Sequence, residues 1–397
     1  MKNLAEYNYI INCDSYLNCD EDNGDADGFA PKISVGDGNY FYGCRAWLNS
    51  DDGYDVFFKK TGGFEDNKSI ILDYCYATRN GKLENGSPSN GNANGFKMGS
   101  DQGRMNVYLN RCVAAANGSK GFDQNHNSGD IIMKNCTGIA ITSETGGKNV
   151  KEAYSYKIYE ALQSGSVCQL INCISIGTTA YESGKDIKAS KTGSAYGGIR
   201  VDESIASLTT CNMKADPSWF VDLTNYVELE AERNEDGSIP ETTFAHLKED
   251  SNNPLIGAGT KNTESVYRGI DVPAIRARFA DNPGVNYSEI NSDYVPSLGA
   301  YEAESNMPTG IGRIESVENN GKAVRLLQCQ SGMVIISVNG AKASDEFNVT
   351  AIDATGKTLG QHKFNATGSI FLPAVKGVII LKVTGKGVNE SIKAIMK

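Results

Sequence analysis

Four aspartates and one lysine carry the chemistry this sequence can offer. The segment SDDGYD places Asp51, Asp52 and Asp55 within five residues, and Asp27 lies 24 residues before Asp51. Carboxylates gathered this closely repel one another unless a cation shares them. Hard oxygen donors in that number suit Ca2+, which takes roughly six to eight oxygens at variable angles. The plainer reading is an acidic turn facing solvent. Lys97 is the candidate base beside the cluster, and its plainer reading is an ion pair stacked between Asp55 and Asp123. The two readings differ in sign: neighbouring carboxylates favour the ammonium, whereas a bound dication and burial favour the neutral amine that a base must be. The three histidines, His126, His246 and His362, are too scattered for a zinc site.

What places these residues together is a repeat. A phrase of apolar residues ending in cysteine recurs as IINC at Cys13, FYGC at Cys44, LDYC at Cys75, LNRC at Cys112, MKNC at Cys136 and LINC at Cys173. A second phrase runs in phase with it: Asp27-Gly28-Phe29, Asp52-Gly53-Tyr54, Asn94-Gly95-Phe96 and Lys120-Gly121-Phe122. Cys44 precedes Asp52 by the same eight residues that separate Cys112 from Lys120, so both phrases belong to one unit. Strand-rich units of 20-odd residues, repeated, imply a right-handed parallel β-helix whose coils stack about 4.8 Å apart. Equivalent residues then form columns: Ala30, Asp55, Lys97 and Asp123 fall in one of them. Lys97 is expected directly above Asp55, and Asp27 one coil from Asp52. The loop from Gly81 to Ala93, rich in Gly, Ser and Asn, is expected to bulge from the stack. Six of the ten cysteines occupy one repeat position, which favours a mostly reduced internal ladder over disulfides.

Composition narrows the partners. The formal net charge of −10 argues against nucleic acid, which demands a basic face. No apolar run approaches the length of a membrane span. The opening MKNLAEYNYIINC has no basic stretch followed by an apolar one, so it reads as a mature chain, or a piece without its upstream end, rather than a signal peptide.

DADGFAPKISVGDGN, GCRAWLNSDDGYDVF and NANGFKMG together resemble polysaccharide lyase family 9, over about Tyr7 to Glu302, including RNEDGSIP at Arg233 to Pro240 and the closing SLGAYE. The resemblance implies a calcium-dependent pectate lyase, with Asp27, Asp51, Asp52 and Asp55 as the calcium ligands and Lys97 as the base. It further implies an anionic plant cell-wall polysaccharide as partner, cleaved by β-elimination by a secreted or cell-surface monomer. The family's early coils and N-terminal cap have no counterpart in the sequence. A rhamnogalacturonan lyase, a β-helical galacturonan hydrolase and a non-catalytic glycan-binding β-helix are the rival readings. A hydrolase needs two carboxyl groups flanking the bond, a pattern Asp51 and Asp52 imitate; Lys97 argues against it.

The repeat stops near Tyr301, after which EAESNMPTG, with Pro308, reads as a linker. The expected division is a β-helix over 1–302 and a small antiparallel β-sandwich over 303–397, making the chain all-β. Strands are expected at Val334 to Val338, Phe347 to Ile352, Ser369 to Leu372 and Val378 to Val383. The ending LPAVKGVIILKVTGKGVNESIKAIMK resembles the C-terminal sorting domains of secreted Bacteroidetes proteins.

Overall fold

The computed structural model describes residues 5–59, 67–177 with short interruptions, 187–188, 199–201, 215–306 and 324–396, the last two again with short interruptions. Pro308 and the linker residues after Asn306 lie outside the described residues. The chain divides into two compact units, Met1–Asn306 and Met307–Lys397.

The first unit winds parallel strands into three long sheets and one of two strands, Phe58–Lys59 with Ser100–Asp101, as the columns require. One sheet stacks Tyr9–Ile11, Asn39–Tyr42, Lys68–Asp73, Met105–Asn110, Ile131–Lys134, Cys168–Ile171 and Ile199–Val201. A second stacks Asp14–Tyr16, Arg45–Trp47, Tyr76–Thr78, Val113–Ala115, Thr137–Ala140 and Ile174–Gly177. The third stacks Tyr54–Asp55, Phe96–Lys97, Lys120–Asp123, Tyr154–Lys157 and Ile187–Lys188.

The cysteine phrase marks the corner between the first two sheets. The residue before each cysteine is left-handed: Asn12, Gly43, Tyr74, Arg111, Asn135 and Asn172 have φ between 49° and 59°. Asn and Gly accept that conformation readily, whereas Tyr74 and Arg111 hold it at a cost of about 1 kcal/mol or more each. Past the corner, the thiols of Cys44, Cys75, Cys112, Cys136 and Cys173 are wholly buried and free, while Cys13 in the first coil is exposed. A second left-handed corner at Leu17, Leu48, Arg79 and Ala116 precedes an asparagine column. There Asn18 donates to Asn49, Asn49 to Asn80 and Asn80 to Asn117, at 2.8, 2.8 and 2.9 Å, so the buried amides satisfy one another from coil to coil.

Inside the third sheet the phrase aromatics stack face to face. Phe29–Tyr54, Tyr54–Phe96, Phe96–Phe122 and Phe122–Tyr156 have ring centroids 5.1, 4.7, 5.0 and 4.8 Å apart. These rings and the cysteine ladder lie in one continuous hydrophobic core.

The expected β-helix to residue 302 differs from the observed chain path. Among the described residues the parallel coils run to Val201, and 215–306 lie against the outside of the stack. That stretch lacks the apolar alternation of the coils. Phe220, Leu229, Phe244 and Leu255 pack on the outward Tyr76, Val113 and Ile174, Val272 and Ile275 on Tyr40 and Ile71, and ion pairs fasten it further. Arg233 and Arg45 both grip Asp14, Arg79 pairs with Glu230, Arg268 with Asp130 at 2.6 Å, and Arg276 with Asp73 at 2.7 Å. Arg276 projects from the helix Val272–Phe279.

The second unit is antiparallel, and each of the four expected strands appears: Met333–Val338, Glu346–Asp353, Thr367–Phe371 and Gly377–Gly385. Val324–Gln330, Thr358–Asn365 and Val388–Met396 complete a sheet of seven strands. The hydrogen bonding is continuous through all seven, and the first strand lies against the last, so the sheet curls on itself around Val334, Ile336, Val349, Ile379 and Leu381.

Candidate functional site

The candidate site grows from two adjacent columns on the outer face of the third sheet. Tyr54 and Asp55 pair with Phe96 and Lys97, and these pair in turn with Phe122 and Asp123. The aromatic of each phrase points inward, so the following residue points out; Lys97 therefore lies one coil from Asp55 in strict register. Two residues further along, Ile33 bridges Phe58 and Phe58 pairs with Ser100, which sets Lys32, Phe57 and Gly99 side by side in the neighbouring column. The glycine of each phrase lets the coils approach. A Cβ at Gly28 would stand 2.5 Å from the carbonyl oxygen of Gly53, and one at Gly53 would stand 2.7 Å from that of Gly95.

Each of three carboxylates has one oxygen anchored and the other turned toward an ammonium. Asp27 Oδ1 accepts the Asp52 N–H at 3.1 Å, and its Oδ2 lies 2.6 Å from Lys32 Nζ. Asp55 Oδ1 accepts the Phe57 N–H at 3.0 Å, while its Oδ2 lies 2.9 Å from Lys32 Nζ and 3.3 Å from Lys97 Nζ. Asp52 Oδ1 accepts both the backbone N–H and the side-chain amide of Asn94, and its Oδ2 faces Lys97 Nζ at 3.0 Å without a well-aligned hydrogen bond. Asp52 and Asp55 are buried, whereas Lys32 reaches solvent with 29% of its side chain and Lys97 with 12%.

The fourth aspartate is held differently. Asp51 Oδ1 accepts the backbone N–H of Asn92 and, at 3.1 Å, its side-chain amide. The loop from Gly81 to Ala93 is thus more than a bulge. Its tip, Glu84 to Gly86, is an exposed turn, but the returning arm docks. Asn90 binds the carbonyl oxygens of Asn23 and Asp22 at 2.8 Å each, and Asn92 and Asn94 cap two of the aspartates. Asp123, one side of the plainer ion-pair reading of Lys97, carries an ion pair to Lys120 at 3.8 Å.

Electrostatically the cluster is under-neutralised. Burial, then the charge of Asp55, pushes Asp27 up to about 6 despite Lys32. Burial likewise pushes Asp51 up, and Asp52 well up. Burial opposes charge on Lys97, but Asp52, Asp55 and Asp51 outweigh it and raise its pKa; Asp27 and Asp55 do the same for Lys32. Two ammoniums set against four carboxylates leave negative charge to spare. One oxygen from each of Asp27, Asp52 and Asp55 lies within 4.8 Å of the others. An all-oxygen set with its second oxygens anchored and its charge unmet fits a hard dication. Of the four aspartates singled out in the sequence, three converge and Asp51 stands beside them on Asn92. Lys32, Asn92 and Asn94 were not singled out; Lys32 sits in the phrase DGFAPK, where a cation one column from the aspartates was a readable signal.

Fold and site together define a parallel β-helix with a cation-ready carboxylate cluster and an adjoining lysine. Residues 1–152 match the family described as Pel9A-like, right-handed β-helix region. The chain is 35% identical to pectate lyase L of Dickeya dadantii over 277 residues, 68% of this chain and 55% of that one. It is 41% identical over 133 residues to pectate lyase L of Paenibacillus polymyxa, 33% of this chain and 29% of that one. The crystal structure of pectate lyase Pel9A superposes with a TM-score of 0.55 at 32% identity, covering 75% of this chain and 60% of that one. The chain spans about half the length of the Dickeya relative. Among the described residues no helix is long and apolar enough to cross a membrane.

Proposed function

We propose that this chain is a calcium-dependent pectate lyase of polysaccharide lyase family 9, cleaving polygalacturonate by β-elimination to unsaturated oligogalacturonides. The observation that carries the reading is the register of Lys97 above Asp55, with its ammonium 3.0 Å from Asp52 and 3.3 Å from Asp55. That puts a base candidate one coil from the proposed ligands Asp27, Asp52 and Asp55, with Asp51 beside them. These aspartates would hold a calcium ion, whose positive charge would weaken the carboxylates' hold on the Lys97 proton and stabilise the negative charge that develops on the uronate. Lys97, as the neutral amine, takes the proton on carbon 5 of the sugar, and the oxygen on carbon 4 leaves with its electron pair. The anchoring of Asp27, Asp52 and Asp55 through their Oδ1 atoms keeps the other oxygens aimed at one place, where the Lys32 and Lys97 ammoniums now stand and would give way to a cation. Asn92 and Asn94 keep the loop closed over Asp51 and Asp52.

Incubation with polygalacturonate and with rhamnogalacturonan, with calcium and with chelator, is the test. The unsaturated product absorbs in the ultraviolet, and growth of that absorbance on polygalacturonate, abolished by chelator, is expected. Reducing ends without ultraviolet absorbance would mean hydrolysis. The C-terminal unit is assigned to export and retention at the cell surface, in keeping with its sorting-domain pattern. The enzyme is then secreted, acts as a monomer, and meets its polymer outside the cell.

A further inference from the structure

From the turn that joins Tyr54–Asp55 to Phe58–Lys59 we infer that Phe57 is a stacking platform for a uronate ring next to the one being cleaved, an inference that rests on the lyase reading above. Phe57 lies between two residues of the core, Val56 and Phe58, which are 2% and 0% exposed, yet is itself only half-buried. Its backbone is fixed by the N–H bond to Asp55 Oδ1, so the ring is carried on the same rigid turn as a proposed ligand. The ring lies 5.7 Å from Lys97 Nζ. On the next coil its neighbour is Gly99, where a Cβ would stand 2.7 Å from Phe57 Cδ2 and 2.6 Å from Asn125 Oδ1. Gly99 has no left-handed φ to explain it; the absence of a side chain is what gives the ring its space.

The surroundings select the ligand. A pyranose presents a flat face of C–H groups that packs on an aromatic ring, and its polar rim needs partners at the ring's edge. Here cations surround the ring: Lys97 Nζ lies over it, Lys32 stands in the same column one coil away, and Lys59, 48% exposed and 3.9 Å from Asp101, lies two residues along the same outward face. Lys32 and Lys97 are shared with Asp27, Asp52 and Asp55, so Lys59 is the most accessible of the three. A ring beside three ammoniums fits a sugar bearing a carboxylate better than a neutral sugar. Phe57 touches no reacting atom and serves as a binding residue.

The test is steady-state cleavage of polygalacturonate by the full chain, with calcium binding followed separately by calorimetry. Phe57→Leu keeps the apolar volume without the flat face, and is expected to raise KM roughly five- to tenfold, with kcat within about twofold and calcium affinity unchanged. Phe57→Tyr is expected to restore KM. Gly99→Ala, which displaces the ring without touching its chemistry, is expected to raise KM as Phe57→Leu does. An unchanged KM in Phe57→Leu overturns the platform while leaving the lyase reading intact. A fall in kcat at constant KM also overturns it, because the ring would then be orienting the Lys97 ammonium. Equal binding of a neutral galactan by the wild-type protein overturns the uronate assignment. A wild-type protein that cleaves neither uronate polymer removes the lyase reading and the platform together.

Discussion

Asn94 holds Asp52 by one oxygen: its backbone N–H and its side-chain amide both donate to Oδ1 at 2.9 Å. The other oxygen, buried with the rest of the residue, is left to face Lys97. Asn94 belongs to the phrase that carries Lys97 three residues later, so one turn of chain both orients the carboxylate and delivers the ammonium to it. The same division of labour holds at Asp27 and Asp55, and from it the behaviour of the site can be forecast.

Replacing Asp52 by Asn keeps the shape and removes the charge that faces Lys97. Calcium affinity is expected to fall by at least tenfold and cleavage to be lost, with the far-ultraviolet circular dichroism of the coils unchanged. Asp51→Ala or Asp52→Ala is expected to abolish cleavage likewise. Cleavage that survives in a chelated sample of the wild-type protein would refute the role given to these residues.

Calcium is expected to raise the melting temperature, and by an amount that depends on pH. Metal binds the ionised carboxylate, and Asp27 is pushed up to about 6. Above that pH the ligand is already ionised; below it the metal must displace a proton. The calcium-induced shift should therefore shrink as pH falls through about 6, where Asp27 takes up its proton, and should go on growing at higher pH as Asp52, pushed well up, gives up its own. A shift that persists undiminished at about pH 4.5 would exclude Asp27 as a ligand.

Lys32→Met removes a cation that both Asp27 and Asp55 now share. Calcium affinity is expected to rise, because two carboxylates lose their competing ammonium. With one positive neighbour fewer, the carboxylates hold the Lys97 proton more tightly, so the rising limb of the pH–rate profile should move to higher pH. A pH–rate profile that moves the other way would separate Lys97 from the base role.

The outer segment can be tested apart from catalysis. Arg276 and Asp73 are 4% and 1% exposed, and Tyr40 also donates to Asp73 Oδ2, at 2.6 Å. Arg276→Met leaves a buried carboxylate without its arginine, which costs about 3–5 kcal/mol. The midpoint of denaturant unfolding should fall accordingly, while the metal affinity of the surviving folded protein is unchanged.

A chain ending at Asn306 keeps the whole first compact unit. It is expected to fold alone and to retain cleavage at near the full-length rate. A soluble truncated protein without activity would give the second unit a part in binding the polymer.

The sequence by itself determined the columns. A repeat of cysteine and aromatic phrases fixes register because each coil must bury the same face, and a slip by one residue would turn Phe96 outward and Lys97 into the core. That is why the pairing of Asp55 with Lys97 and the buried cysteine column are legible in the sequence, and the stacking of Tyr54 on Phe96 follows from the same register. Alternation likewise marked four strands of the second unit. Tertiary structure decided what the repeat does not constrain. The arm of the loop at Asn90 to Asn94 closes over Asp51 and Asp52 through contacts made across some forty residues of chain, and composition identifies such a segment only as a loop. The repeat sets Lys32 one column from the aspartates, but that a single ammonium spans both Asp27 and Asp55 depends on how its side chain crosses between columns, which only the folded chain shows. Residues 215–306 lie outside the stack, packed on it by apolar side chains and fastened by arginines whose partners, such as Asp14 for Arg233 and Asp73 for Arg276, lie some two hundred residues away. Charge pairs of that kind have no period, so only the folded chain reveals them.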